Sequence, residues 1–272
     1  MTDTDLYLQR LWEANPLREP LLRSIIQALQ LPSGSHGLDV GCGIGLQALL
    51  LAQAVGADGH ITGIDINPEL LAVGGKVAAE AGFSERITFR EGDMNRLPFA
   101  EDTFHWAWSA DCIGYPAGEL LPILAELVRV VKPGGSIIIL GWSSQQVLPG
   151  HPLLEARLNA TCSGYIPFLT ESKVASHFLR ALPWFRKAGL QEVAVQTFVG
   201  EVRDPLTAAE RTALTSLFEM LWGQPQPEVS AEDWQACQQL CKQGSPEFIL
   251  DIPDYYAFFT YSVFQGKVPR KD

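Results

Sequence analysis

The chain has 272 residues, of which 47% are hydrophobic and 19% charged, a composition typical of a globular protein and too apolar for intrinsic disorder. Its 20 Lys and Arg residues against 31 Asp and Glu give a formal net charge of -11, which disfavours nucleic acid and anionic lipid surfaces as partners. The five cysteines are scattered, the first residues lack the basic start of a signal peptide, and no apolar run reaches the roughly 20 residues that span a bilayer. We therefore expect reduced thiols, no membrane span and a cytoplasmic location.

An amphipathic helix is predicted over Glu19–Leu31, because its apolar residues recur at helical spacing. Pro20 suits the first turn of that helix, and Pro32-Ser33-Gly34 suits its end. The face expected to be buried carries Leu21, Leu22, Ile25, Ile26 and Leu29. We interpret residues 1–35 as lead-in helices before the main fold.

Beyond the lead-in, short apolar runs alternate with helix-like segments, a pattern typical of a parallel sheet covered by helices on both faces. Strands are predicted at His36–Val40, Ile61–Ile66, Ile87–Arg90, Phe104–Ser109 and Ser136–Leu140. Helices are predicted at Leu46–Val55, Pro68–Ala81 and Gly118–Val131. The second of these helices has its own start signal, because Asn67 can cap its first N–H groups. The alternation predicts an α/β, doubly wound core over residues 36–142.

After residue 142 the regular alternation stops. The later elements are predicted as a helix near Lys173–Ala188, a strand near Glu192–Val199, a polar helical stretch over Leu206–Gln243 and an aromatic strand over Tyr255–Phe264. We expect residues 143–272 to complete the sheet and to add helical insertions that cover the substrate. The stretch Leu206–Gln243 has the composition of a lid.

One run with chemical meaning joins the first strand to the next helix, Leu38-Asp39-Val40-Gly41-Cys42-Gly43-Ile44-Gly45-Leu46. Glycines at such a turn let the backbone approach a ligand, and the start of a helix offers N–H groups. A dinucleotide fingerprint of the form G-x-G-x-x-G needs its third glycine at position 46, which is Leu46, so nicotinamide chemistry is disfavoured. Asp65 ends the second strand, where a carboxylate grips a ribose diol, and the third strand ends in Gly92-Asp93-Met94.

Four motifs in this order resemble the class I S-adenosylmethionine-dependent methyltransferases, specifically the group that includes the ubiquinone and menaquinone biosynthesis enzymes. The motifs are Asp39–Gly45, Gly63–Asn67, Gly92–Phe99 and Val131–Gly135. The resemblance implies a seven-stranded, mostly parallel, Rossmann-like methyltransferase fold with helical insertions and S-adenosylmethionine as cofactor. The cofactor-binding residues that it implies are Asp39, Gly41, Cys42, Gly43, Gly45, Asp65, Ile66, Asn67, Asp93 and Met94.

The same resemblance implies a role for each part of that set. The backbone of the glycine loop would line the methionyl and ribose parts, and Asp65 would bond the ribose hydroxyls. Ile66 would pack on adenine, while Asp93 and the Met94 N–H would read the adenine edge. Asp93 has a second interpretation, as a loop carboxylate beside Arg96.

Further candidates follow the fourth strand and the fifth. Ser109 is predicted to line the cofactor mostly through its backbone, and Asp111 is a candidate to face the methyl acceptor, since ligands of open α/β sheets bind at this edge. His151 is a candidate base for a hydroxyl acceptor, although an exposed loop histidine is the commoner case.

The cysteines are predicted to be structural. We interpret Cys42 as a small packing residue, because no partner histidine is placed beside it by the sequence. Cys237 and Cys241 share one helical face, but no second ligand pair with zinc-like spacing follows, so no metal site is predicted.

These observations predict S-adenosylmethionine-dependent methyl transfer to a small-molecule acceptor that is partly apolar. The sulfonium is already activated, so positioning and exclusion of water are the main tasks, and no acid–base residue is compulsory. The alternatives are a non-catalytic S-adenosylmethionine-binding sensor or partner subunit, and a protein methyltransferase. The acceptor atom and the oligomeric state stay open at this point.

Overall fold

A computed structural model describes residues 3–113, 120–159, 178–225, 227 and 229–270 of the chain. Within these residues, no helix combines the length and the apolar character needed to cross a membrane. The strands are β1 His36–Val40, β2 His60–Asp65, β3 Ile87–Glu91, β4 Phe104–Ala110, β5 Val131–Gln146, β6 Gln191–Arg203 and β7 Tyr256–Lys267. The helices are α1 Asp3–Leu29, α2 Leu46–Ala54, α3 Pro68–Glu80, α4 Leu120–Val130, α5 Pro152–Asn159, α6 Ala181–Lys187, α7 Ala208–Trp222 and α8 Ala231–Cys241, with short 3-10 turns at Phe178–Arg180 and Ile249–Asp251.

The strands form one seven-stranded sheet in the order β3-β2-β1-β4-β5-β7-β6. The five strands from β3 to β5 are paired in parallel. Strand β7 runs the other way, because Gly134 N donates to Val268 O near the start of β5 while Ser143, farther along β5, contacts Thr260. The predicted seven-stranded and mostly parallel α/β fold is confirmed.

The chain divides into two compact units, each made of separate segments. Residues 22–142, 173–198 and 261–272 form what we call the core unit. Residues 1–21, 143–172 and 199–260 form what we call the helical unit. Because β5, β6 and β7 each contribute residues to both units, these units do not coincide with consecutive stretches of sequence.

The core unit is built around one cluster of buried apolar side chains. Val40 of β1, Ile64 of β2 and Phe104 of β4 are each 1% exposed. Helix α4 adds Ile123, and the short helix α6 adds Phe185, both fully buried. Strands buried on both faces are expected where helices cover a parallel sheet, and their burial fixes the strand ends from which the site residues project.

The helical unit holds a buried carboxylate. Glu155 of α5 is fully buried, and its oxygens accept hydrogen bonds from Val147 N at 2.8 Å and Leu148 N at 3.0 Å. Tyr255 O–H donates to Val147 O at 2.9 Å. Burial raises the pKa of the Glu155 carboxyl, and the two N–H donors oppose that rise. These bonds fix the turn between β5 and α5.

The first helix differs from its prediction. It runs over Asp3–Leu29 rather than Glu19–Leu31, so Pro20 lies inside it and not in its first turn. Pro16 also lies inside the helix. Each proline removes one helical hydrogen bond, but the apolar face continues through Leu17 and Leu21, both buried, and this packing keeps the chain helical.

The starts of α2 and α3 lie where the sequence predicts them. Asn67 caps α3, since its Oδ1 accepts from Glu69 N at 2.9 Å and from Leu70 N at 3.4 Å. The polar stretch Leu206–Gln243 is confirmed as helical and contains α7 and α8. The predicted helices Gly118–Val131 and Lys173–Ala188 begin outside the described residues, and their described parts hold α4 and α6.

Strand β5 is longer than its prediction, Ser136–Leu140. It begins at Val131, which pairs with Phe104 of β4, and the register then shifts before Trp106 pairs with Ser136. The residues between include Pro133 and two glycines, which favour a turn, but Gly134 N and Gly135 O both bond to Val268, the residue that follows β7. Pairing with a distant strand therefore overrides the local turn signal.

Candidate functional site

The glycine loop lies between β1 and α2 and has the backbone that only glycine adopts readily. Gly41, Gly43 and Gly45 have φ values of +73°, +52° and +75°. A Cβ on Gly41 would lie 2.4 Å from Cys112 Sγ, and one on Gly45 would lie 2.5 Å from the Phe89 ring. At Gly41 and Gly45 a side chain is thus excluded by both conformation and space.

Helix α2 starts at this loop without a side-chain cap. Gly45 occupies the N-cap position, and no side chain bonds to the first N–H groups of the helix. Such N–H groups bind anionic or polar ligand atoms. The N–H groups of Gly41, Cys42 and Gly43 already donate to Ile64 O and Asp65 Oδ2, so the donors at the carboxyl end of β1 are the first N–H groups of α2.

Asp65 holds the loop from the end of the neighbouring strand. Its Oδ2 accepts from Gly43 N at 3.0 Å, and its Oδ1 accepts from Asn67 N at 3.0 Å. Between these two contacts the side chain of Ile66 is 67% exposed. A half-buried carboxylate beside an exposed apolar side chain suits a ribose and the flat base attached to it.

Asp39 is the most unusual group at this edge of the sheet. Its side chain is 2% exposed, and Oδ2 has no hydrogen-bond donor among the described residues. Burial, together with repulsion from Asp65, raises the pKa of Asp39 from 3.8 to about 7. A buried polar atom without a partner is rare in a folded protein and indicates that a donor or a cation belongs there.

The two thiols beside the loop are not nucleophiles. Burial raises the pKa of Cys42, and the nearby Asp39 and Asp65 add to that rise. Burial likewise raises the pKa of Cys112 to about 12. Both groups stay protonated at neutral pH, as the interpretation of Cys42 as a packing residue requires. The sequence did not single out Cys112 or Phe89 as neighbours of the loop.

The end of β3 lies next to Asp65, since Gly92 N donates to Asp65 O at 3.0 Å. Asp93 is exposed, and its Oδ1 accepts from the backbone N and the side-chain amide of Asn95, at 2.8 and 2.7 Å. It also pairs with Arg96 through the backbone. Met94 packs against the core cluster. The structure thus places the segment Gly92-Asp93-Met94 beside Asp65. The contacts of Asp93 and Met94 with adenine stay predictions.

Ser109 and Asp111 are both engaged in holding the sheet together. Ser109 is 1% exposed, and its hydroxyl donates to Val40 O at 3.0 Å. Asp111 has φ +51°, and its carboxylate accepts from Trp142 N at 2.9 Å and from Tyr261 O–H at 2.7 Å. The structure gives both side chains a structural task. A cofactor contact of Ser109 and a role of Asp111 as base stay predictions.

The remaining candidates lie in the helical unit. His151 is exposed in the turn before α5, where its N–H donates to Leu148 O and its carbonyl accepts from Glu155 N, each at 3.0 Å. Its role as base stays a prediction. Cys237 and Cys241 are buried and hydrogen-bonded to each other. The described residues contain no group of three or more side chains that could hold a metal ion.

The fold itself defines a class of proteins. The YcgJ protein from Bacillus subtilis superposes with a TM-score of 0.57 at 18% identity, covering 93% of this chain and all of that one. A methyltransferase-like protein from Bacillus halodurans C-125 gives a TM-score of 0.57 at 16% identity, with 91% and 98% covered. The chain therefore has the Rossmann-like methyltransferase fold.

Sequence comparison gives the family. The methyltransferase domain family matches residues 38–135. The demethylmenaquinone methyltransferase of Bacillus cereus (strain ATCC 10987) is 30% identical over 190 residues, which cover 65% of this chain and 78% of the relative. That of Bacillus velezensis is 34% identical over 125 residues, 45% of this chain and 52% of the relative, so the chain spans only about half the length of some relatives. The chain belongs to the class I S-adenosylmethionine-dependent methyltransferases of the menaquinone and ubiquinone type.

The residues at these strand ends fit the cofactor of that family. S-adenosylmethionine carries an ammonium and a sulfonium, and the unpartnered oxygen of Asp39 lies where a cation or donor is missing. The loop has no space for side chains at Gly41 and Gly45, which keeps its backbone open to a ligand. Asp65 supplies a carboxylate for hydroxyl groups beside the exposed Ile66.

Proposed function

We propose that this protein transfers the methyl group of S-adenosylmethionine to a small, partly apolar molecule. The observation that carries the proposal is the unpartnered, buried Asp39 beside the glycine loop and Asp65, in a chain of the methyltransferase family. Relatives named demethylmenaquinone methyltransferase, and a rice relative named probable tocopherol O-methyltransferase that is 35% identical over 122 residues, support a small-molecule acceptor. No observation favours a sensor, a partner subunit or a protein methyltransferase.

The residues that would hold the cofactor are those of the core unit. The backbone of Gly41, Cys42, Gly43 and Gly45 would line its methionyl and ribose parts, and Asp65 would accept from the ribose hydroxyls. Further contacts would come from Asp39, Ile66, Asn67, Asp93, Met94 and Ser109. When bound, the cofactor supplies an activated methyl group on a sulfonium.

The chain contributes position and exclusion of water rather than a compulsory acid or base. An acceptor that is a stabilised carbanion attacks directly, whereas a hydroxyl acceptor benefits from a base, for which His151 and Asp111 are the candidates. Since both oxygens of Asp111 already accept hydrogen bonds, His151 is the better candidate of the two.

The acceptor is expected to contact the later part of the chain. Aromatic residues are frequent after residue 142, and Tyr256 among them is 48% exposed, whereas Phe218 and Trp222 of α7 are stacked and buried. Pockets for small molecules are mostly apolar with a few polar anchors. We propose that Leu206–Gln243 acts as a lid over such an acceptor, and a cytoplasmic location fits these small substrates.

The first experiment is calorimetric titration of the protein with S-adenosylmethionine, S-adenosylhomocysteine and NAD. We expect micromolar binding of the two adenosyl compounds and none of NAD. Asp65→Ala should weaken that binding about 10- to 100-fold, because it removes the carboxylate that also positions Gly43. Asp58→Ala, an exposed turn residue, is the matched control and should bind like wild type. Binding of NAD alone, or of nothing, would overturn the proposal.

The acceptor side needs its own test. Small quinones and phenols with apolar tails should be screened for methylation by the protein, with transfer followed by mass spectrometry. If His151 is the base for a hydroxyl acceptor, His151→Ala lowers turnover and leaves cofactor affinity unchanged. Deletion of Leu206–Gln243 with no change in acceptor turnover or affinity would count against the lid.

A further inference from the structure

The helical unit contains a cleft of about 440 Å³ that shares no residue with the proposed cofactor site. Its walls come from α1, from α7 and from the segment that follows α8. Helix α1 contributes Gln9 and Glu13, and the segment after α8 contributes Gln243 and Phe248. A volume of this size is typical of sites that hold a small molecule.

One face of α7 forms the longest wall of the cleft. Its lining residues recur at spacings of three and four and so share one side of the helix over a length of about 16 Å. They are Ala208, Arg211, Thr212, Thr215, Ser216 and Glu219. The opposite face of α7 is apolar and buried through Leu214, Leu217 and Leu221. The helix is thus held by its apolar face and turns a polar face toward the cleft.

Trp222 continues this polar face one turn beyond Glu219. The residue is 3% exposed, and its Nε1–H has no acceptor among the described residues. Side chains of a helix lean toward its N-terminus, and the indole stacks on Phe218 with the ring centroids 6.0 Å apart. The ring therefore lies over the turn at which the cleft ends. A buried N–H group without a partner is rare and indicates that an acceptor atom belongs beside it.

The polar groups of the cleft include both acceptors and donors. Glu13 and Glu219 offer carboxylate oxygens, while Gln243 and Trp222 offer N–H groups. An ammonium ligand would satisfy the carboxylates but could not accept from Trp222. An anion would accept from Trp222 but would be repelled by the two carboxylates. A hydroxyl group both donates and accepts, so a ligand that carries several hydroxyls satisfies both kinds of group.

The positive charge of Arg211 does not make the cleft a site for anions. Its Nη1 donates to Leu250 O at 2.6 Å, and its Nη2 forms a salt bridge with Asp251. The guanidinium lies over the ring of Phe248, 5.8 Å from the centroid. Arg211 is therefore already compensated, and Phe248 adds an apolar surface for the carbon skeleton of a ligand.

We propose that the cleft between α1 and α7 binds a neutral polyhydroxylated molecule of the size of a small sugar, to which the Trp222 indole N–H donates a hydrogen bond. The proposal goes beyond methyl transfer and does not depend on it, because the cleft contains none of the residues assigned to the cofactor. Trp222 is the specificity residue of this site, since its donor has no other partner within the described chain.

The test is titration of the full chain with glucose, sucrose, putrescine and sulfate, followed in proton–nitrogen correlation spectra of the indole N–H groups. The chain has 7 tryptophans, and the signal of Trp222 is the one that Trp222→Phe removes. We expect glucose or sucrose to shift that signal downfield with a dissociation constant on the order of 1 mM, because the free N–H acquires an acceptor. Putrescine and sulfate should leave the signal in place.

Variants measure the contribution of single contacts by calorimetry. Trp222→Phe keeps a ring but loses the donor, and it should weaken sugar binding about 5- to 20-fold. Ser216→Ala removes a hydroxyl from the wall and should weaken it about 3- to 10-fold. Trp234→Phe is the matched control, since Trp234 lies on α8 outside the lining of the cleft, and it should bind like wild type.

Three outcomes would overturn the proposal and leave methyl transfer standing. They are absence of sugar binding to wild type up to about 100 mM, a Trp222 signal that moves with putrescine or sulfate instead, and unchanged sugar binding by Trp222→Phe. Binding of S-adenosylhomocysteine by each variant shows that it is folded. If Trp222→Phe does not fold, calorimetry of wild type and Ser216→Ala decides, and equal sugar affinities of these two proteins would overturn the site.

Discussion

The burial of Asp39 predicts a large effect of pH on stability. Its pKa lies at about 7 in the folded chain against 3.8 for the ordinary carboxyl. Because the pKa of Asp39 is higher in the folded chain than in the unfolded one, protonated Asp39 adds to the free energy of unfolding. This contribution is complete below pH 3.8 and is lost as the pH rises through 7. At about 1.4 kcal/mol per pKa unit, the loss reaches up to about 4 kcal/mol at pH 8. Asp39→Asn cannot ionise and should escape this loss.

Urea unfolding of wild type and Asp39→Asn between pH 4 and pH 8 measures the effect. The two proteins should have similar free energies of unfolding at pH 4, and the variant should be the more stable by up to about 4 kcal/mol at pH 8. Asp58→Asn corrects for the change in net charge, because it removes a carboxylate at an exposed turn. If the free energy of unfolding depends on pH in the same way for Asp39→Asn and wild type, Asp39 is not held in an unfavourable environment and the reasoning is refuted.

Three further substitutions test contacts of the site and of the helical unit. Gly41→Ala should lose cofactor binding and thermal stability, since its Cβ would lie 2.4 Å from Cys112 Sγ at φ +73°; adding Cys112→Ala should restore part of the stability in a double-mutant cycle. Glu155→Ala should lower the free energy of unfolding by about 2–4 kcal/mol, because two buried N–H groups lose their acceptor. Tyr261→Phe should cost about 1–2 kcal/mol by removing the donor to Asp111, and an unchanged urea midpoint would contradict that bond.

The sequence predicts well what is decided by neighbours in the chain. Strand β1 begins and ends where periodicity places it, and Asn67 caps α3 as its side chain suggests. The glycine loop was also predictable, because its backbone turns between a buried strand and a helix whatever the distant chain does. Strand β1, the Asn67 cap and the glycine loop each depend on residues close together in the sequence, so each is visible there as a short pattern.

What the sequence did not predict depends on distant partners. The first part of β5 pairs with Phe104 of β4 and bonds to Val268, more than a hundred residues away, against the local turn signal of a proline and two glycines. The unfavourable environment of Asp39 depends on burial by other elements and on Asp65 of another strand. Asp111 was a candidate base, but its engagement by Tyr261 is a contact between residues separated by 150 positions. No spacing rule in the sequence connects such pairs.

The position of β7 has a consequence for how the chain is assembled during synthesis. Strands β1 to β5 can pair with one another as soon as they leave the ribosome, but β6 lies at the sheet edge and its neighbour is β7, which is made later. Until then, β6 and the free side of β5 are unpaired edges of the kind that associate wrongly with other chains. If translation paused before Tyr256, the glycine-loop region would be almost completely formed while β5 and β6 still had unpaired edges. A ribosome-bound chaperone would protect these edges from association with other chains.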